Sequence, residues 1–257
     1  MISFNPLEFQ IFGISGYFFF AGIGVTVATC LFIVLLFQKN FSVESYFKIF
    51  MFSNIAMILC AKLFGTLTAI YYYIGIGETF TLSDIANRGI VFYGGLIGFL
   101  TCFYVICRIK HLDLKAMDLL GVCIPLFHCF ARIGCFTTGC CFGIESNSLI
   151  SINYTTYVLD EIVTASRLPI QLIEALFNLI LFGYLFYLYR TRFEYHLLRR
   201  YLLIYSCGRF ILEFFRGDVI RGIINGISFS QVVSVLIWIF LGITFLRNKK
   251  IKGSECL

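Results

Sequence analysis

A chain of 257 residues that is 60% hydrophobic and 13% charged, with a mean hydropathy of +0.90, is too apolar for a soluble domain, whose apolar share is nearer half. The formal net charge of +6 would suit nucleic acid, but the cations sit in short clusters between apolar runs and read as topology determinants, so a nucleic-acid partner is excluded. With only 3 prolines, no Ser/Gly linker and no internal repeat, residues 1–257 read as a single all-α polytopic membrane domain.

A spanning helix needs about 20 mostly apolar residues. In chain order the candidates are Tyr17 to Phe37, Phe47 to Ile70, Val91 to Cys107, Met117 to Phe130, Pro169 to Tyr189, Leu198 to Phe215 and Ile227 to Leu246, which makes about seven. No cationic stretch precedes the first run, so it is expected to be retained rather than cleaved as a signal peptide. The fourth run is short, and is expected either to tilt or to continue into the following Gly/Cys segment as irregular backbone buried in protein.

With the N-terminus outside, Lys39, Lys48, Arg108, Lys110, Lys115, Arg190, Arg192 and the C-terminal lysines fall on one side; Arg88, Arg167 and Arg221 fall on the other. The positive-inside rule then predicts an outward N-terminus and a cytoplasmic C-terminus. The loop at residues 144–168 faces outward, the longest polar connection and a candidate cap over a site. Within it Ser151 to Val158 (SINYTTYV) has the β-branched and aromatic composition of a short strand.

Ionisable groups inside the runs are costly in lipid, and each is a functional-site hypothesis. Lys62 lies deep in the second run and either snorkels or faces the bundle. Arg132 closes the fourth, amid Ala131, Ile133, Gly134 and Cys135. In the fifth, which opens at Pro169, a favoured first helical residue, Gln171, Glu174 and Asn178 fall on one helical stripe, for interhelical hydrogen bonds or for a substrate. Tyr205, Arg209, Glu213 and Arg216 share one face at the end of the sixth. There two guanidiniums and one carboxylate leave an excess cation, to which Arg132 adds another. Convergent guanidiniums suit phosphate, which the planar fork binds bidentately. Cations below apolar walls suit a membrane phospholipid, its acyl tails among the helices.

Of 11 cysteines, Cys30, Cys60, Cys102, Cys107 and Cys123 lie within apolar runs as small hydrophobes. Cys135, Cys140 and Cys141 form a separate cluster. Four readings compete for it: packing of small residues, an extracytoplasmic disulfide to a distant partner, a zinc site short of its usual four ligands, and a nucleophilic thiol.

Three blocks now come together: Gly94-Gly95-Leu96-Ile97-Gly98; Ala131-Arg132-Ile133-Gly134 with Phe136, Gly139 and Gly143; and Gly208-Arg209-Phe210-Ile211-Leu212-Glu213-Phe214-Phe215-Arg216 with Asp218. Together they resemble the bacterial prolipoprotein diacylglyceryl transferases, in order, over most of the chain from about Lys62 to Asp218. The resemblance implies transfer of the diacylglyceryl group of phosphatidylglycerol to the thiol of a lipobox cysteine in a secreted precursor, at the outer face of a bacterial plasma membrane. It implies that Arg132 and Arg209 hold the phosphate, with Tyr205 and Glu213 supporting that face; Tyr93, at a position where the family has another residue, is a candidate base that completes the catalytic set of Arg132, Arg209, Tyr93 and Glu213. Lys62, Gly94, Gly95, Gly134, Cys135, Gly139, Glu174, Tyr205 and Arg216 form the expected substrate-binding set. No metal and no cofactor is expected.

The chain departs from the family pattern at Tyr93 and Leu168, where the family carries His, at Cys135, where it carries Asn, and at Cys140, where it carries an acid. His111 and His196 fall in expected cytoplasmic loops and His128 in the fourth run, and none readily replaces the missing imidazoles. Two other readings stay open: a relative with the same phospholipid site and another acceptor, and a non-enzymatic lipid-binding or transport protein.

Overall fold

The computed structural model describes residues 3–6, 9–76, 89–158, 161–191, 196–218, 223–224 and 227–254. Among these it forms a bundle of seven α-helices: α1 (Gly16–Gln38), α2 (Val43–Ile76), α3 (Phe92–Ile109), α4 (Met117–Thr137), α5 (Ile170–Thr191), α6 (Leu197–Leu212) and α7 (Phe229–Ser254). Six of the expected runs become helices long and apolar enough to cross a membrane. The exception is α6. Its 16 residues give about 24 Å of helix against a hydrocarbon core of about 30 Å, and a 3₁₀ turn at Glu213–Phe215 extends it. It still runs from one end of the bundle to the other, packed on α4, α5 and α7.

The fourth run corrects one expectation. Hydropathy ends it near Phe130, yet α4 continues as regular helix through Arg132 to Thr137. The charge that interrupts the apolar pattern is neutralised by protein, as described below, so it does not interrupt the helix. Helix α4 is the axis of the bundle, with α1, α5 and α6 packed around it, while α2 packs mainly on α3. Small residues set these approaches. A Cβ on Gly94 would come 2.6 Å from Cβ of Phe64, and one on Gly98 would lie 2.5 Å from Cβ of Cys60, so the glycine block of α3 is the surface that meets α2. Bulky apolar side chains such as Phe52, Ile58, Ile180 and Phe240 point out of the bundle, as lipid-facing positions should.

The two ends differ. At one, Tyr189 Oη donates to Gln38, Tyr46 Oη donates to the Asp113 carbonyl, and Asp118 accepts from the backbone of His196 and Leu198. Lys39 lies over the Tyr189 ring at this end, which gathers the described basic clusters. Arg88, Arg192 and Arg221 lie outside the described residues. The other end carries a small sheet. The chain opens with the short strands β1 (Ser3–Phe4), β2 (Gln10–Ile11) and β3 (Ile14–Ser15), and the strand expected at SINYTTYV forms β4 (Ile152–Val158), paired antiparallel with β5 (Glu161–Arg167). On its other edge β4 takes the N-terminal β1 (Ser3–Phe4) in parallel. Tyr154 of β4 stacks on Phe4 and Phe136, which seats the sheet on the end of α4. Burial pushes the Tyr154 phenol above its ordinary pKa, the three nearby thiols adding to this, and its hydroxyl donates to the Phe136 carbonyl.

A close approach of α4 to the start of α6 generates a stability prediction. A Cβ on Gly121 would lie 2.6–2.7 Å from backbone atoms of Leu197 and Leu198, which cannot swing aside. Gly121→Ala is expected to cost about 1–3 kcal/mol, read as a lower thermal midpoint of the detergent-solubilised protein. Gly183→Ala, in α5 with nothing within 4 Å of the new atom, should hold or raise that midpoint.

Candidate active site

Three helices bring their ionisable residues to one buried centre. Helix α5 contributes Glu174, only 2% exposed, from the polar stripe that begins behind Pro169. Its Oε1 lies 3.0 Å from Nη2 of Arg132 on α4, and Tyr205 on α6 donates to the same oxygen at 3.3 Å. Its Oε2 lies 3.5 Å from Nη1 of Arg209, also on α6. A single carboxylate thus joins two guanidiniums from different helices.

The chain of charges continues outward. Nη2 of Arg209 lies 2.5 Å from Oε2 of Glu213, in the 3₁₀ turn. The same oxygen is 3.9 Å from Nη1 of Arg216, whose Nε and Nη2 clasp the Asp218 carboxylate at 2.8 and 2.5 Å. Arg132, Glu174, Arg209, Glu213, Arg216 and Asp218 therefore alternate in sign. The excess of cation expected from α6 alone is corrected: Glu174 and Asp218 match it, because Glu174 arrives from another helix and Asp218 folds back on Arg216. Alternation is what makes the cluster tolerable. An uncompensated charge taken out of water costs several kcal/mol, and geometry must return that cost.

His128 is the residue that sequence reasoning set aside and the structure places at the centre. One turn before Arg132, its Nε2 accepts from Nε of Arg132 at 3.1 Å and lies 3.7 Å from Oε1 of Glu174. Accepting at Nε2 requires the neutral ring with its proton on Nδ1. Asn178 of the α5 stripe lies beside the ring. The imidazole stacks on Phe92 of α3, centroids 3.7 Å apart and planes 6° from parallel. The available signal was the i, i+4 spacing of His128 and Arg132, which places both on one face of a helix.

The other expected residues divide. Tyr205 joins the cluster. Tyr93 lies close by, its ring edge-on to Tyr205 at 5.7 Å, but its hydroxyl pairs with Ser234 of α7 at 2.8 Å and ties α3 to that helix. Gly94 and Gly95 face α2, and Gly134 faces Tyr17 of α1; all three serve helix contact. Gly139 turns the chain beyond α4 with φ of 79°. Cys135 is buried at the end of α4, and Lys62 is half-buried on α2. Gln171, on the same stripe as Glu174, donates to the Cys140 carbonyl at 2.8 Å and so anchors the Gly/Cys loop.

Beside the cluster an apolar crevice lies between α1, α2, α3 and α4, bounded by Val25, Ala28, Met57, Phe99, Ile124 and Phe127. Phe92 is part of its wall and also the ring on which His128 stacks, so crevice and charge cluster share one side chain. Apolar space next to guanidiniums is the arrangement an amphiphile with an anionic head requires.

Residues 5–247 match the family described as prolipoprotein diacylglyceryl transferase. The phosphatidylglycerol–prolipoprotein diacylglyceryl transferase of Clostridium tetani is 31% identical over 246 residues, covering 93% of this chain and 95% of that protein. A protein of Clostridium perfringens with the same name, numbered 2, is 31% identical over 253 residues, covering 96% of each. One from Campylobacter curvus is 29% identical over 274 residues, covering 97% of this chain and 96% of its own. Together with the buried arginines of an apolar bundle, these likenesses fix the assignment: the chain belongs to the prolipoprotein diacylglyceryl transferase family.

Proposed function

We propose that the protein transfers the diacylglyceryl group of phosphatidylglycerol to the thiol of a lipobox cysteine in a secreted precursor, releasing glycerol phosphate. The observation that carries this reading is the Arg132–Glu174–Arg209 bridge set against an apolar crevice. In this reading the crevice takes acyl chain and the two guanidiniums take the phosphodiester. The acceptor sulfur, as thiolate, attacks the glycerol carbon of the diacylglyceryl group, and the C–O bond to phosphate breaks. Charge then grows on the departing glycerol phosphate, and Arg132 and Arg209, already oriented, stabilise it as it forms. His128 is a positioning residue: by accepting from Nε it fixes the plane of the Arg132 fork. Glu174 holds the two cations together while the site is empty. The site is assigned to the outer leaflet of a bacterial plasma membrane, with the N-terminus outside, on the strength of the basic residues gathered at the opposite end of the bundle.

The direct test is release of glycerol phosphate from phosphatidylglycerol by purified protein with a lipobox peptide, alongside rescue of a strain depleted of its own transferase. Arg132→Lys and Arg209→Lys should each lower kcat about 10²–10³-fold, since each removes preorganised donors from the developing anion. Substrate binding without product release, whatever the acceptor, would overturn the transferase reading. Product release without rescue would point to another acceptor. His128→Ala removes a hydrogen bond to a charged group, about 1.5–3 kcal/mol, and should lower kcat about tenfold or more with KM little changed. A parallel rise in KM would argue against a positioning role. Glu174→Gln leaves two buried guanidiniums facing each other, and is expected to destabilise the folded protein by about 3–5 kcal/mol in chemical denaturation.

A further inference from the structure

We propose that Cys135, Cys140 and Cys141 form a three-thiolate site for a soft monovalent d¹⁰ cation of the Cu(I) class. In sequence, CxxxxCC has neither a paired CxxC nor a nearby His. The fold supplies what spacing does not. Cys135 occupies the last turn of α4, after which Gly139 and Cys141 both adopt positive φ, 79° and 56°, and turn the chain back over the helix end. All three Sγ atoms then lie within 4.8 Å of one another. A trigonal ion about 2.3 Å from each sulfur spaces them about 4 Å apart, so closing on the ion takes only small side-chain shifts.

The loop is held before any ion arrives. The amide of Cys140 donates to the Cys135 carbonyl at 3.2 Å, Gln171 donates to the Cys140 carbonyl, and Thr156 of β4 donates to the Gly139 carbonyl. Gly217 donates to the Phe142 carbonyl at 2.9 Å, tying the loop to the segment that follows α6. Left-handed backbone at a non-glycine residue such as Cys141 is uncommon and persists where its surroundings over-determine it. The ligand set selects the ion. No carboxylate or imidazole joins the three sulfurs among the described residues, and thiolates without harder donors favour Cu(I), which does not need the fourth ligand of a structural zinc site. Binding releases three protons to solvent and leaves a complex of charge −2. Arg132, one turn before Cys135, and Arg216 lie within electrostatic reach of Cys141, beside the carboxylates that already pair with them. Cys140 is exposed, Cys141 half-buried and Cys135 buried, which gives the ion a route inward.

The test uses full-length protein, reduced and anaerobic in detergent, titrated against the Cu(I)–bicinchoninate complex. Wild-type protein should withdraw one copper per chain, and the Cys135→Ser/Cys140→Ser/Cys141→Ser variant should withdraw none. Equal withdrawal by both would overturn the proposal, because the copper would sit on other thiols. Maleimide labelling of the wild-type protein, mapped by mass spectrometry, keeps the test independent of how the triple variant folds. Copper should protect Cys140 and Cys141 while Cys30 and Cys207, exposed elsewhere, stay reactive. Labelling of Cys140 and Cys141 that ignores copper, or a disulfide among the three that persists in the reduced protein, would overturn it as well.

Discussion

The contact on which the rest depends is the bridge made by Glu174 between Arg132 and Arg209. An arginine at the centre of a membrane helix costs about 2.5–3.5 kcal/mol on insertion scales, and two facing each other would add their repulsion. One carboxylate from a third helix removes both problems, and so fixes how α4, α5 and α6 must stand. Register is set with it: Glu174 meets Arg132 and Tyr205 only when the α5 stripe is turned inward. Helix α6 carries Arg209 and is too short and too polar to face lipid on its own account. It is tolerable because α4, α5 and α7 pack along it and its charges meet partners inside, which leaves Leu203, Cys207 and Ile211 as its outward face. The same bridge accounts for the length of α4, whose last turn and a half would otherwise begin with an unmatched cation.

How much of this was legible follows from what periodicity and hydropathy measure. Runs such as Tyr17 to Phe37 announced α1 within a residue at each end, because lipid-facing and buried positions are both apolar there. The strand in SINYTTYV was visible in its β-branched composition, but its parallel partner at Ser3 and Phe4 was not, since two residues carry no period. The polar stripe of α5 was visible as a stripe. Its destination was not, because spacing along one helix says nothing of which helix it meets. His128 was passed over as an isolated imidazole in an apolar run; its meaning lies in Arg132 one turn away and in Phe92 on a different helix. The glycine block of α3 was legible as a motif, but as a surface for α2 only once the helices were packed.

Aromatic residues connect these parts mechanically. Phe92 is touched on one side by the crevice and on the other by His128, while Tyr205 sits edge-on to Phe92, Tyr93 and His128 and stacks on Tyr201. Side chains in a close-packed interior transmit displacement rather than absorb it. Filling of the crevice would therefore be felt at the imidazole that orients Arg132, which gives the apolar part of a lipid a means of acting on the charged part of the site.

The parallel pairing of Ser3 and Phe4 with Asn153 and Tyr154 bears on how the molecule is made. Ser3 and Phe4 acquire their strand partner only after α1 to α4 have been synthesised, and β5 closes the sheet's other edge later still. Chains fold largely as they emerge, and pairing across so long a separation is slow. The sheet that seats on α4 is thus a late event in biogenesis, and the centre beneath it stays open to the surface of the nascent bundle until the helix bearing Glu174 has been delivered to Arg132.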